Sequence, residues 1–192
     1  MIRLAMPAGP RKLCAMSLLI RDSLPTDVPE IAAIYGHAVL HGNASFELDA
    51  PDATEIARRR EVLLHAGFPH LVAEDAAGRV VGYSSAGTYR PRPGYRFTVE
   101  NSVYVAPDCQ GQGIGRALLP RLIDRCEQAG FRLMVAVIGD SANHASIRLH
   151  AGCGFRHAGV LPNIGWKNDR WLDSVLMVRA LGPGASEPPS SV

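Results

Sequence analysis

The sequence predicts an α/β (α+β) domain built on a mixed, mostly antiparallel sheet with helices on both faces. Three observations lead there. The elements alternate as β-α-α-β-β-β-α-β-α-β-β along the chain, an order that needs a sheet taking both hairpins and helical crossovers. A β-branched run from Val99 to Val105 feeds a glycine-rich turn, Gln110-Gly111-Gln112-Gly113-Ile114-Gly115, that opens a helix. Arg132 to Ile138 reads as near-continuous apolar chain, the pattern of a strand buried on both faces.

Taken in order, residues 1–15 carry Pro7, Gly9 and Pro10 without periodicity, and Met16 directly precedes the first strand-like run. Residues 1–16 are therefore expected to be a loose N-terminal arm or to precede the true start, with the folded domain over 17–181. A first strand covers 17–22. Pro25 and Thr26 supply the entry signals of a helix to about residue 40, a polar loop runs from His41 to Pro51, and a second helix spans 53–66. Three strands follow at Pro69 to Glu74, Val80 to Thr88 and Phe97 to Val105, the first two joined by a turn at Asp75 to Gly78. The helix after the glycine-rich turn places apolar residues at 114, 117, 118, 122 and 123 and stops at Gly130. A helix at 143–151 and strands near 155–165 and 171–180 complete the domain. Residues 182–192 are rich in Pro, Gly and Ser, and a disordered tail is expected there.

Composition narrows the function. The 192 residues are 47% hydrophobic and 20% charged, enough for one well-buried domain. Twenty basic and 18 acidic residues give a net charge of +2 without long blocks of either sign, so neither nucleic acid nor an anionic membrane is an expected partner. No apolar run approaches the roughly 20 residues that span a bilayer, and Arg11 and Lys12 stand where a signal peptide needs its apolar core; a cytoplasmic location is expected. Cys14, Cys109, Cys126 and Cys153 have neither paired nor metal-ligand spacing, so they read as reduced thiols and no metal is expected. Cys109, beside the glycine-rich turn, is the one whose oxidation would matter.

A strand, a glycine-rich turn and a helix N-terminus together make an anion site, because glycine lets backbone amides converge at the positive end of the helix. A Walker loop would end in Gly-Lys-Ser/Thr, whereas Arg116-Ala117 follows here, and a dinucleotide fingerprint would lie after the first strand. The pattern Gln110-x-x-Gly113-x-Gly115 instead resembles the pyrophosphate loop of the GCN5-related N-acetyltransferases (GNAT family). The resemblance covers residues 17–181. It implies a GNAT fold with a splayed central strand pair, and acetyl-CoA as co-substrate. The implied cofactor-binding set is the backbone of Val103, Tyr104 and Val105, the loop Gln110, Gly111, Gln112, Gly113, Ile114, Gly115 and Arg116, and Asn143 and Ser146 beyond the next strand.

Within the family, Val99-Glu100-x-Ser102-Val103-Tyr104-Val105, Leu149-His150, Gly165-x-Lys167 and Trp171-x-Asp173 resemble the phosphinothricin and methionine sulfone/sulfoximine N-acetyltransferases. The resemblance implies a small amino acid analogue as acceptor, with resistance to the herbicide as one outcome, and a homodimer.

Amide formation needs a neutral amine, while an α-amine with a pKa of about 8 is mostly protonated at pH 7. Strand alternation puts Glu100 on one face with Ser102 and Tyr104, opposite Val99, Val103 and Val105. A carboxylate there is solvated, ion-paired or used; the resemblance carries a base role to it. His150 has the pKa range to move a proton, and equally it can be a packed residue that hydrogen-bonds Glu100 or the leaving thiol. Arginine recognises carboxylates and phosphinates bidentately. The segment Tyr89 to Arg96 therefore reads either as a solvated turn or as the acceptor clamp. The resemblance assigns Arg90, Arg92 and Tyr95 to substrate, and Phe46 to the wall of the same pocket. Arg96 and Lys167 fit either substrate or the CoA 3'-phosphate. Asn101 and Phe46 depart from several relatives, which leaves the accepted side chain open. A different small amine or a peptide N-terminus is the alternative acceptor, although Arg90 and Arg92 disfavour a polyamine. A CoA-binding sensor without catalysis is the non-enzymatic alternative.

Overall fold

The computed structural model describes residues 18–189. The arm expected over 1–16, with Cys14, lies outside the described residues. Seven strands form one sheet: β1 (Leu19–Asp22), β2 (His70–Glu74), β3 (Val80–Thr88), β4 (Thr98–Val105), β5 (Leu133–Gly139), β6 (Arg156–Lys167) and β7 (Arg170–Ala180), in the order β1-β2-β3-β4-β5-β7-β6. Four α-helices cover it: α1 (Val28–His41), α2 (Ala53–His65), α3 (Ile114–Gln128) and α4 (His144–Gly152). Each predicted strand and helix is present with its ends moved by a few residues. The mixed, mostly antiparallel sheet is present too, with β4–β5 as its parallel pair.

Side-chain alternation sorts the layers. Along β3, Gly82 faces α3 so closely that a Cβ there would lie 2.9 Å from Ile114 Cγ2 and 3.3 Å from Leu118 Cδ1. The next residue, Tyr83, faces the other way and stacks on Tyr104, whose ring in turn meets Tyr35 of α1 edge-on at 5.0 Å. Helix α3 and helix α1 therefore lie on opposite faces, and the core fills both interfaces. Leu118, Leu119, Leu122, Ile123 and Cys126 are fully buried on one side, and Ile31 and Val39 on the other. Truncating one of these leucines to alanine costs about 2–5 kcal/mol.

The feature that positions the site is where pairing stops. Strands β4 and β5 are paired from Thr98↔Leu133 to Asn101↔Ala136 and no further. Beyond Asn101 the two strands part, and the backbone groups of 102–105 that would have bonded β5 face a gap. At the far edge, Asn168 and Asp169 both have positive φ (51° and 56°), the two-residue hairpin geometry that Asn and Asp tolerate best. This turn brings the end of β6 back beside the loop after α1. Among the described residues no helix is long and apolar enough to cross a membrane.

Candidate active site

The gap between β4 and β5 opens into a cleft of about 730 Å³. Its walls include Val103, Tyr104, Val105, Gln110, Gly111, Gly113, Ile114, Gly115, Arg116, Asn143 and Ser146, so eleven of the twelve residues expected to bind cofactor come together. Gln112 does not: its side-chain amide turns back to the Asp108 carbonyl at 3.2 Å. The loop is shaped by Gly111 and Gly113, with φ of 75° and 86°. Gly113 is the residue from which α3 starts, and its carbonyl takes the first helical bond from Ala117 N. The leading amides of α3 have no acceptor within the helix, and they open on the cleft. Asn143 starts α4 in the same cleft, its side chain accepting from Ser146 N at 3.2 Å.

At the inner end of the cleft lies a narrower space of about 240 Å³ lined by Glu100, Asn101, His150, Tyr35 and Phe46 among others. Glu100 is half-buried on β4. Burial pushes its carboxyl above the ordinary glutamate range, and Arg90 opposes part of that rise. His150 is 4% exposed. Its Nδ1 lies 2.8 Å from the Ser146 carbonyl, which can only accept, so Nδ1 carries the proton and Nε2 accepts from Asn101 Nδ2 at 2.9 Å. Burial lowers its pKa, and the ring is neutral with both nitrogens engaged. The Asn101 Oδ1 is buried at the same place without a hydrogen-bond partner among the described residues.

On the other side of Glu100 a cavity of about 580 Å³ is lined by Phe46, Leu48, Tyr89, Arg90, Leu161, Ile164, Gly165, Trp166, Ser174 and Leu176 among others. Phe46 and Arg90 reach it as expected. Arg92 and Tyr95 do not line it: both are exposed, and the Tyr95 ring packs edge-on against Tyr89 at 5.8 Å. Arg96 lies over the Phe97 ring, 4.6 Å from its centroid. Lys167 is 4% exposed, and its ammonium donates to the Ser45 carbonyl at 2.7 Å. It holds the 42–52 loop rather than standing free for a ligand.

That loop carries Phe46 and is fastened at several points. Tyr35 Oη donates to Glu47 at 2.9 Å and meets Ser45 Oγ at 3.0 Å. Arg59 bridges to Glu47 at 2.6 Å. Asn43 Nδ2 donates to Asp140 at 3.0 Å, and Asn168 donates to Asn43 Oδ1 at 2.9 Å. Leu161, Ile164, Trp166, Ser174 and Leu176 of the wall escaped the sequence reading because no motif marks them as site residues; Gly165-x-Lys167 and Trp171-x-Asp173 pointed only to their strands. Cys109, the thiol singled out by sequence, is buried, and its Sγ accepts from Arg79 Nη2 at 3.0 Å. Among the described residues no group of three or more His, Cys, Asp or Glu is placed to hold a metal ion.

The comparisons with known proteins agree on one architecture. The model of the acetyltransferase (GNAT) family matches residues 37–155. The chain is 52% identical over 172 residues to a phosphinothricin N-acetyltransferase of Alcaligenes faecalis, covering 89% of this chain and 85% of that one. It is 44% identical over 173 residues to an L-methionine sulfoximine/L-methionine sulfone acetyltransferase of Pseudomonas aeruginosa, covering 90% of this chain and all 100% of that one. The crystal structure of a GNAT superfamily phosphinothricin acetyltransferase from Sinorhizobium meliloti in complex with acetyl-CoA superposes with a TM-score of 0.89 at 41% identity, covering 92% of this chain and 95% of that one.

Proposed function

Because the chain belongs to the acetyltransferase (GNAT) family and is an acyl-transferring enzyme, we propose that it acetylates the α-amine of phosphinothricin-like amino acids, methionine sulfoximine and methionine sulfone included, by direct attack and without an acyl-enzyme. The observation that carries this reading is the position of Glu100. It is the carboxylate shared by the space at the end of the β4–β5 gap and the apolar cavity that contains Arg90.

The residues present fit acetyl-CoA on three counts: a strand edge left unpaired beyond Asn101, glycines at 111 and 113 with open space where a Cβ would point, and a cleft of the volume small-molecule sites use. The 102–105 backbone and Asn143 would hold the pantetheine arm, and the amides of 110–116 the pyrophosphate. Acetyl-CoA supplies the acetyl group already activated as a thioester. Glu100 takes the proton that the acceptor ammonium must lose, directly or through one water. Its raised pKa brings it closer to that of the amine, which favours the transfer. The C–N bond then forms as the C–S bond breaks, and the second proton, which the nitrogen sheds on becoming an amide, neutralises the released thiolate. His150 is assigned a supporting part, holding Asn101 at the point where the strands separate. The site also works by alignment: fixing two reactants in place is worth about 7–11 kcal/mol of barrier in well-oriented systems.

Arg90 is placed to bind the acceptor's anionic group, and the apolar walls Phe46, Leu161 and Trp166 to take its aliphatic stem. Val160, Leu161, Ile164 and Trp166 of β6 and Trp171 at the start of β7 expose apolar surface along that hairpin, which supports a homodimer through that face; light scattering at twice the 20.6 kDa chain mass checks it. The reading places the enzyme in the cytoplasm with its co-substrate.

The experiment is thiol release from acetyl-CoA with L-phosphinothricin, L-methionine sulfoximine, L-methionine sulfone, common amino acids, spermidine and an N-terminal peptide. Selective turnover of the first three is expected. Turnover of spermidine or peptide alone would overturn the acceptor assignment, and acetyl-CoA binding with no turnover of any amine would make the protein a sensor.

A further inference from the structure

The Phe46 ring is a wall common to the inner space and the acceptor-side cavity, and what it rests on is a glycine. A Cβ built on Gly165 would overlap Phe46 Cε1, lie 2.5 Å from Cδ1 and 3.2 Å from Cζ, where carbon atoms in contact sit about 3.5–4.0 Å apart. Gly165 does not have the positive φ that calls for glycine. Space for the ring, rather than backbone freedom, is what glycine supplies.

The backbones that carry the ring and the glycine are both fastened. The loop backbone next to Phe46 is tied to β6 two residues beyond Gly165, through Lys167 Nζ to the Ser45 carbonyl. Asn43, nearer the start of the loop, is held by Asp140 and Asn168. Its carbonyl lies so close to Gly139 that a Cβ there would overlap it. On the β6 side, the irregular stretch before Gly165 is held by Asp173, which accepts from Asn163 N at 3.0 Å and from Ser141 Oγ at 2.6 Å. A methyl group at 165 therefore has to move the Phe46 ring, which is itself a wall of both cavities.

We propose that Gly165 is a specificity-determining residue: by seating the Phe46 ring it sets the size of the acceptor side chain that fits beside Glu100. The proposal rests on reading the 580 Å³ cavity as the acceptor pocket. Its chemistry points to α-amino acids with a bulky polar head on a short apolar stem, which a displaced Phe46 would exclude before it excluded the smallest amino acids.

The test is a double-mutant cycle on selectivity. The readout is the ratio of kcat/KM for the largest to the smallest α-amine that the wild-type protein accepts. Gly165→Ala is expected to lower that ratio at least tenfold while the KM for acetyl-CoA stays within twofold. In the Phe46→Ala background the same substitution is expected to change the ratio less than twofold, since no ring remains to displace. General damage to the fold would act equally in both backgrounds. A ratio unchanged by Gly165→Ala, or a loss that persists without Phe46, overturns the proposal. A wild-type ranking that favours other amines refutes the phosphinothricin-like assignment and leaves the cycle measurable. A second readout needs no turnover: with 4-fluorophenylalanine at position 46, its fluorine resonance is expected to shift on Gly165→Ala, and an unmoved resonance also overturns the proposal.

Discussion

The two sides of Glu100 are built by different means. On the cofactor side, residues within 103–116 form one wall of the cleft, faced by α1, the loop after it and α4, and the groups that this wall offers a ligand are mostly backbone: a strand edge without a partner and the leading amides of a helix. On the acceptor side, the wall is side chains drawn from the 42–52 loop, the segment at 89–90, β4, β6 and β7. A backbone site tolerates side-chain change and depends on φ and ψ. A side-chain site depends on whatever holds distant segments in register. The two halves should therefore fail differently when altered.

The largest expected effect falls between them. Glu100→Gln keeps the shape of the side chain and removes its ability to take a proton. Because general base catalysis contributes roughly 10²–10⁴-fold, turnover is expected to fall by about 10²-fold, with the acetyl-CoA KM nearly unchanged. Steady-state kinetics with both substrates varied measures this. Equal turnover in the variant would remove the base assignment and leave alignment as the source of catalysis.

How much of this was legible in the sequence follows the same division. The glycine-rich turn, the strand before it and the helix after it are local in the chain, so periodicity and turn chemistry located them as an anion site, and the family resemblance assigned that site to acetyl-CoA. The alternation that put Glu100 opposite Val99 is also local, and β4 keeps it. Other features depend on tertiary contacts. Lys167 fitted either substrate or the CoA 3'-phosphate in the sequence; its partner is a carbonyl 122 residues away. Arg92 and Tyr95 share a segment with Arg90, but the 3-10 turn at Pro93–Tyr95 leaves them outside the cavity. His150 carried two readings, and the partner that its Nε2 takes, Asn101, stands 49 residues earlier in the chain.

A smaller effect is expected where the cofactor side is altered. Gly113 has φ of 86° and open space where a Cβ would point, so alanine there brings no steric overlap and isolates the backbone term. Holding a residue other than glycine in this region costs about 1–2 kcal/mol, which corresponds to roughly a tenfold change in an equilibrium. Gly113→Ala is expected to raise the acetyl-CoA KM by about tenfold and to leave the ranking of acceptors as it is. If the ranking changed along with that KM, the division between a backbone half and a side-chain half would be wrong.

Arg90 gives the smallest effect and the most specific one, because it reaches across the division. Its guanidinium lies 5.2 Å from the centroid of the Tyr89 ring, and it is exposed. Its charge works against the burial that raises the Glu100 carboxyl. Arg90→Ala is expected to raise the acceptor KM about threefold, in keeping with an exposed contact, while the acetyl-CoA KM is unchanged. The sign of the pH effect follows from the role of the base. Glu100 is active when deprotonated, so the acid limb of kcat/KM lies at its pKa, and without the opposing charge of Arg90 burial alone carries that limb to higher pH. An acceptor KM that rises while the limb stays fixed would make Arg90 a substrate contact with no influence on the base. A limb that moves while KM does not would make it part of the base's surroundings and leave the acceptor's anionic group to a residue outside the segment at 89–96.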